Sequence, residues 1–386
     1  MMKNTDLRGS VAISGVGEAD RSPLLIGSSP LDLMSQAALR ATEDAGIALE
    51  EIDGVFAASS QLAFPALSVA EHLGLSPRYF DSTNTGGDSF MGHVHHAMLA
   101  IVTGQIDVAL IVHGSTQKSV GRENAAPQER SPYEASVSIR LPMAAYAMAA
   151  ARHMHEFGTT REQLAEVVRA SRQWASVHPL ATERTVPSIQ EIVSARLICS
   201  PLSALDCCLV TDGGAAVILV NRERALVSGR KSAFVLGCGE ASSHRHIQEM
   251  PSLTLTAAQQ SGHAAFSMAG MRPGDVNAAQ IYDAFSICTI LFLEDLGFCK
   301  KGEGGHFVSG GNISPGGKFP VNTNGGGLSY CHPGMNGLML LVEAVRQIRG
   351  DALGHQIPNC DVALAHGNGG VLSSQSTVIL GSSLTI

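Results

Sequence analysis

The 386-residue sequence predicts an α/β protein of two similar halves, each a mostly parallel sheet covered by helices, in αβαβα layers. Three observations lead there. Short apolar runs of strand length alternate with helix-length segments, the pattern of strands buried between helical layers. Pieces of the first half recur in the same order in the second. Gly15-Val-Gly-Glu-Ala19 returns as Gly237-Cys-Gly-Glu-Ala241, Asp107-Val-Ala-Leu110 as Asp361-Val-Ala-Leu364, and Ala216-Val-Ile-Leu219 as Thr377-Val-Ile-Leu380. Ordered self-similarity of this kind marks a duplicated unit. Finally, a segment from about 116 to 205 interrupts the first copy between two strands and reads as an inserted helical lobe. The halves fall at 1–230, including the insertion, and 231–386.

Each element of the first copy has a local cause. Val11–Gly15 is short and apolar, as a buried strand is. Ser29-Pro30 supplies an N-cap and a first-turn proline for a helix running to about Asp44, which Gly46 stops. Val55–Ala58 is the next strand, 88–103 a second helix and Val108–Val112 a strand of buried residue types. In the insertion, Pro142–Glu156 forms one helix. A Thr159-x-x-Glu162 capping box opens another.

Composition excludes several classes. Hydrophobic residues make up 45% of the chain and charged residues 16%, the balance of a well-buried globular protein. A net charge of −8 disfavours nucleic acid or an anionic membrane surface as partner. No apolar run approaches the roughly 20 residues of a membrane span, and the N-terminus lacks the apolar core of a signal peptide. The eight cysteines have no repeating spacing, which reads as reduced thiols in a cytoplasmic protein. No nucleotide-binding glycine pattern falls at a strand-to-helix junction. His93, His95 and His96 have no ligand partner at suitable spacing and read as helix-surface histidines, with no metal site.

Several segments together resemble the thiolase superfamily, most closely its sterol-carrier-protein-type branch. They are Asn84-Thr-Gly-Gly-Asp-Ser89, Asp206-Cys-Cys-Leu-Val-Thr-Asp-Gly213, Tyr282-Asp-Ala-Phe285, Phe319-Pro-Val-Asn322 through Gly325-Gly326, Cys331-His-Pro333 and His366-Gly-Asn-Gly-Gly370. The resemblance spans most of the chain and implies the same duplicated fold, with the insertion binding coenzyme A and shaping the substrate tunnel. It places the nucleophilic cysteine of the family at position 87, which is glycine here. A residue without a side chain holds no acyl group, so covalent transfer from that position is closed. In this it is similar to the cysteine-lacking, thiolase-like aldolases.

The resemblance assigns expectations to the other site positions. His332 matches the histidine that activates the cysteine or holds the thioester oxygen; imidazole suits oxyanion stabilisation or proton transfer. Tyr282 stands where the family usually carries His or Asn, and Tyr330 lies two residues before His332. Two of the five tyrosines thus fall in site motifs, and both are expected to handle protons. His366 replaces a second, proton-shuttling cysteine, as is common in this branch. The glycine-rich turn after it, Gly367, Asn368 and Gly369, and the backbone of Gly87 are expected to aim N–H groups at a thioester oxygen. Each position has a plainer reading beside this one: a core histidine, a packed tyrosine, a structural turn. Replacement nucleophiles are Cys331, Cys288 and Ser89, of which Ser89 reads as a helix cap.

A pocket of this kind without its nucleophile still suits (retro-)aldol chemistry on a 3-hydroxyacyl-CoA through an enolate, with no covalent intermediate. The alternatives are an acyltransferase with a displaced nucleophile and a non-catalytic acyl-CoA-binding subunit. The resemblance further implies a homodimer, coenzyme A only as part of the substrate, no permanent cofactor, and a small OB-fold, zinc-ribbon partner.

Overall fold

The computed structural model describes residues 7–21, 27–121, 132–137 and 139–386. The first half contributes β1 (Val11–Glu18), β2 (Gly54–Ala57), β3 (Tyr79–Asp81), β4 (Val108–Ser115) and β7 (Gly213–Asn221). The second contributes β8 (Ala233–Ser242), β9 (Ala278–Ile281), β10 (Val362–Gly369) and β11 (Ser374–Gly381). They hydrogen-bond in the order β3-β2-β4-β7-β1-β8-β11-β10-β9. A separate ribbon in the insertion pairs β5 (Leu197–Cys199) with β6 (Leu202–Ser203). Parallel pairing is confined to the outer strands, β2–β3, β2–β4 and β9–β10. The inner pairs are antiparallel, and the strands of the two halves meet where Ala12 and Ile13 of β1 pair with Phe234 and Ala233 of β8.

The longer helices are α1 (Pro30–Ala45), α2 (Pro65–Leu73), α3 (Ser89–Val102), α4 (Met143–Phe157), α5 (Arg161–Ser176), α6 (Ala258–Ala269), α7 (Ser286–Asp295) and α8 (Gly337–Arg349). Ser29 caps α1 and Gly46 ends it in the left-handed region. α1 and α6 cover the outer faces, whereas α3 and α8 touch strands of both halves and form the central layer. This explains why α8 is nearly wholly buried, Glu343 and Gln347 included.

The duplication is written into the packing. A Cβ at Gly15 or Gly17 would strike the main-chain oxygens of Ala41 and Ala37 on α1; one at Gly237 or Gly239 would strike those of Ala265 and Ser261 on α6. The repeated glycines therefore let helix and strand touch backbone to backbone. Both copies also shift register one residue before the first glycine, at Ser14 and at Leu236.

The copies differ at the outer edge. Where β3 flanks β2, the second half has only a bridge from Val321 to Ala279 of β9. Asn322, in a left-handed conformation, finishes the edge with its side chain. Its Oδ1 accepts from Ile281 N–H at 2.7 Å and its Nδ2 donates to Ile281 O at 2.9 Å.

In the insertion, the capping box lies one residue later than expected, at Thr160 and Gln163. The Thr159 hydroxyl is taken by His153 Nδ1 at 2.8 Å. α5 then clamps the loop leading to the site. Ser171 Oγ donates to Gly325 O at 2.5 Å, and Trp174 Nε1 donates to Ile313 O at 2.8 Å.

Candidate active site

Tyr282 leaves the end of β9, its N–H bonded to His366 O at 2.9 Å. His332 arrives from the other direction, after the short helix Gly326–Ser329. Asp283 anchors that helix by accepting from Gly327 N–H at 2.6 Å and Leu328 N–H at 3.2 Å. Burial raises the Asp283 carboxyl to about 6 even so. The His332 N–H is fixed by Thr211 Oγ1 at 3.0 Å.

These constraints put the Tyr282 hydroxyl 3.0 Å from His332 Nε2, with the rings nearly perpendicular at 81°. The Tyr282 oxygen also accepts from Asn336 N–H at 3.4 Å, which directs its own proton toward His332. Both side chains are buried. Burial pulls His332 down to about 4 and pushes Tyr282 far above the usual phenol range. The pair is thus neutral at pH 7, with Nε2 a proton acceptor.

The ring of Tyr282 fills the space beside Gly87. A Cβ at 87 would lie 2.6 Å from the Tyr282 hydroxyl oxygen and 2.5 Å from Cζ, well inside contact. The position expected to hold a nucleophile is therefore occupied by a phenol from another strand. On its other side Gly87 meets Gly337, where a Cβ would strike the Gly87 carbonyl. Ser89 is not the helix cap: Asp88 is the N-cap of α3, and the Ser89 Oγ instead accepts from the preceding loop, from Thr85 N–H at 2.9 Å and Gly86 N–H at 3.2 Å.

His366 faces β11. Its Nδ1 lies 2.9 Å from Thr377 Oγ1 and its Nε2 3.0 Å from Gln375 Oε1. Burial lowers it to about 3. Gly367, Asn368 and Gly369 belong to β10 and are not part of a turn; they pair with Ser376, Gln375 and Ser374. A Cβ at Gly367 or Gly369 would strike Asp88, so these glycines let the start of α3 dock on β10. Asn368 Nδ2 donates to the Tyr146 hydroxyl at 2.9 Å, and its Oδ1 accepts from Gln375 Nε2 at 2.8 Å. Tyr146, on α4 of the insertion, stacks on Phe285 at 4.5 Å. It is a second buried tyrosine at the site, which no motif indicated; its only sequence signal is that a phenol interrupts an alanine-rich helix.

Tyr330 is not brought into the Tyr282–His332 pair. Its hydroxyl donates to Glu18 Oε1 at 2.5 Å, and Arg21 lies 3.8 Å over its ring. Burial works to raise Glu18, but Arg346 and Arg21 overcome it and hold the carboxyl at about 2. Tyr330 completes this buried ionic cluster. Cys331 turns to Thr211 Oγ1 at 3.2 Å, Cys288 is buried in α7, and burial raises both thiols. Neither is primed as a nucleophile. The three histidines of α3 also differ from expectation. His93 is buried, while His95 and His96 meet Glu240 and Asp81 at 2.7 Å, carboxylates distant in sequence. No group of three or more metal-type side chains forms among the described residues.

Residues 239–382 match the family Thiolase C-terminal domain-like. The chain is similar to a steroid side-chain-cleaving aldolase of Thermomonospora curvata, 30% identical over 94% of this chain and 96% of that one. It is also similar to an acetyl-CoA acetyltransferase of Methanothermobacter thermautotrophicus, 31% identical over 93% and 96%. Among solved structures, an Ltp2-ChsH2(DUF35) aldolase superposes with a TM-score of 0.86 at 30% identity, covering 97% of this chain and 98% of its own. With the duplicated fold and the site geometry, this identifies the chain as a member of the thiolase superfamily, in its sterol-carrier-protein-type, aldolase-like branch.

Proposed function

We propose that the protein is an acyl-CoA carbon–carbon lyase, cleaving a 3-hydroxyacyl-CoA by retro-aldol chemistry without an acyl-enzyme. One observation carries the reading: the Tyr282 phenol, bonded to His332, stands where the nucleophile of a thiolase would need room. Similarity to aldolases over nearly the whole chain supports it. The similar acetyltransferase favours the covalent alternative, but the side-chain space at 87 is taken.

The 3-hydroxyl of the substrate gives its proton to the Tyr282 oxygen as the Tyr282 proton passes to His332 Nε2. The Cα–Cβ bond breaks, a ketone or aldehyde departs, and the electron pair is held as the thioester enolate. The proton then returns through Tyr282 to Cα, leaving the shortened acyl-CoA. A relay is required because even an unperturbed phenolate at pH 7 costs about 4 kcal/mol, and burial here raises that cost. His366, through Gln375 and Asn368, positions Tyr146, which stacks on Phe285.

Coenzyme A enters as part of the substrate. A small OB-fold, zinc-ribbon partner is part of the proposal, supported by the similar Ltp2-ChsH2(DUF35) aldolase, whose name joins two components. So is a homodimer, for which β3 offers a free sheet edge. The test is to incubate the protein, alone and with such a partner, with steroid, aromatic and branched 3-hydroxyacyl-CoA esters. Carbonyl release without added free CoA is expected. A mass-shifted acyl-enzyme, or a strict need for free CoA, overturns the reading.

A further inference from the structure

We propose that Asn336 binds the substrate directly, its side-chain amide donating from Nδ2 to the thioester oxygen as the enolate forms. The inference rests on the enolate reading above and names the group that receives the developing charge.

Asn336 is the N-cap residue of α8, the position where an asparagine side chain ordinarily accepts from the first-turn N–H groups. That bond is not made here. The residue is fully buried, and both Nδ2 and Oδ1 lack a partner within the described residues. Burying an unsatisfied amide is unfavourable. The side chain has thus given up a cap without gaining another bond.

Its surroundings show what it faces. The Asn336 N–H donates to the Tyr282 hydroxyl. The point where a Gly327 Cβ would stand is 3.5 Å from Asn336 Nδ2 and 3.0 Å from His332 Cδ2, so the amide nitrogen and the His332 ring border the same point. The N-terminus of the 13-residue helix α8 adds the positive end of its dipole at the same place. A buried, unsatisfied donor at a helix start beside the proton relay is positioned for an oxygen that gains charge only during reaction.

Asn336→Ser tests this, because serine is an equally good cap and lacks the amide; Asn336→Ala removes both. The affinity of a CoA nitronate, whose planar anion mimics the enolate, is compared with that of the matching saturated acyl-CoA by calorimetry. The wild type is expected to prefer the nitronate. In both variants that preference falls about 10²-fold, with a parallel loss in kcat, while saturated acyl-CoA binding changes less than threefold. The melting temperature of Asn336→Ser stays at or above that of the wild type. Wild-type preference retained in Asn336→Ser overturns the role of Asn336 alone. A wild type that does not distinguish the two ligands overturns the enolate reading beneath it.

Discussion

Tyr282 and Gly87 share one volume: the phenol ring occupies the space into which a side chain at 87 would project. A side chain at 87 and the phenol of Tyr282 therefore exclude each other. Gly87→Cys is expected to give no acyl-enzyme by mass spectrometry and to lower stability by about 1–3 kcal/mol through overpacking. Adding Tyr282→Ala to Gly87→Cys should recover part of that loss, a coupling readable in a denaturant double-mutant cycle.

Tyr282→Phe keeps the ring and removes only the hydroxyl bonded to His332. Cleavage of a 3-hydroxyacyl-CoA should fall by about 10²–10⁴ in kcat, the range for a lost proton-transfer group. Circular dichroism should show an unchanged fold. A rate within threefold of wild type removes Tyr282 from the proton path.

The pH dependence of kcat/KM reports on His332. Burial lowers its pKa to about 4, so it remains a neutral acceptor well below pH 6.5 and is lost only on protonation near 4. The His332 contribution to the profile should be flat from about pH 5.5 to 8 and fall toward pH 4. The linked stability term has the same direction: an unfolded histidine protonates near pH 6.5. The contribution of His332 to stability is thus present above that pH and lost as pH falls toward about 4. Circular dichroism across the same range separates the two effects, and an acid limb at 6.5 contradicts the assignment.

Tyr330 offers the opposite outcome. Tyr330→Phe should lower stability by about 1–3 kcal/mol, since its hydroxyl serves the buried Glu18 carboxylate. Turnover should stay within threefold of wild type. A kcat loss as large as that of Tyr282→Phe would return Tyr330 to the proton path.

The sequence carried the architecture further than the site. The repeated glycines at 15, 17, 237 and 239 were visible because backbone contact between strand and helix tolerates no other residue there. The start of α5 slipped by one because two adjacent threonines offer the same cap, and only the position of His153 decides between them. His332 and Tyr282 were legible from local motifs. Tyr330 was not, because its partner lies 312 residues away. Tyr146 reaches the site from the insertion, and Asn336 is distinguished only by bonds it does not make. Long-range pairing and an unmade bond leave no spacing to read.

The nine-stranded sheet has two ends of different character. One presents Tyr79–Asp81 as an ordinary strand; at the other, Val321 and the amide of Asn322 already occupy the hydrogen-bonding groups of Ala279 and Ile281. Strand addition from a neighbouring molecule thus has a single open docking rim. In the homodimer proposed above, two copies meeting at that rim would close on each other about a twofold axis. The half-strand around Asn322 thus fills the hydrogen-bonding edge that a further strand would need.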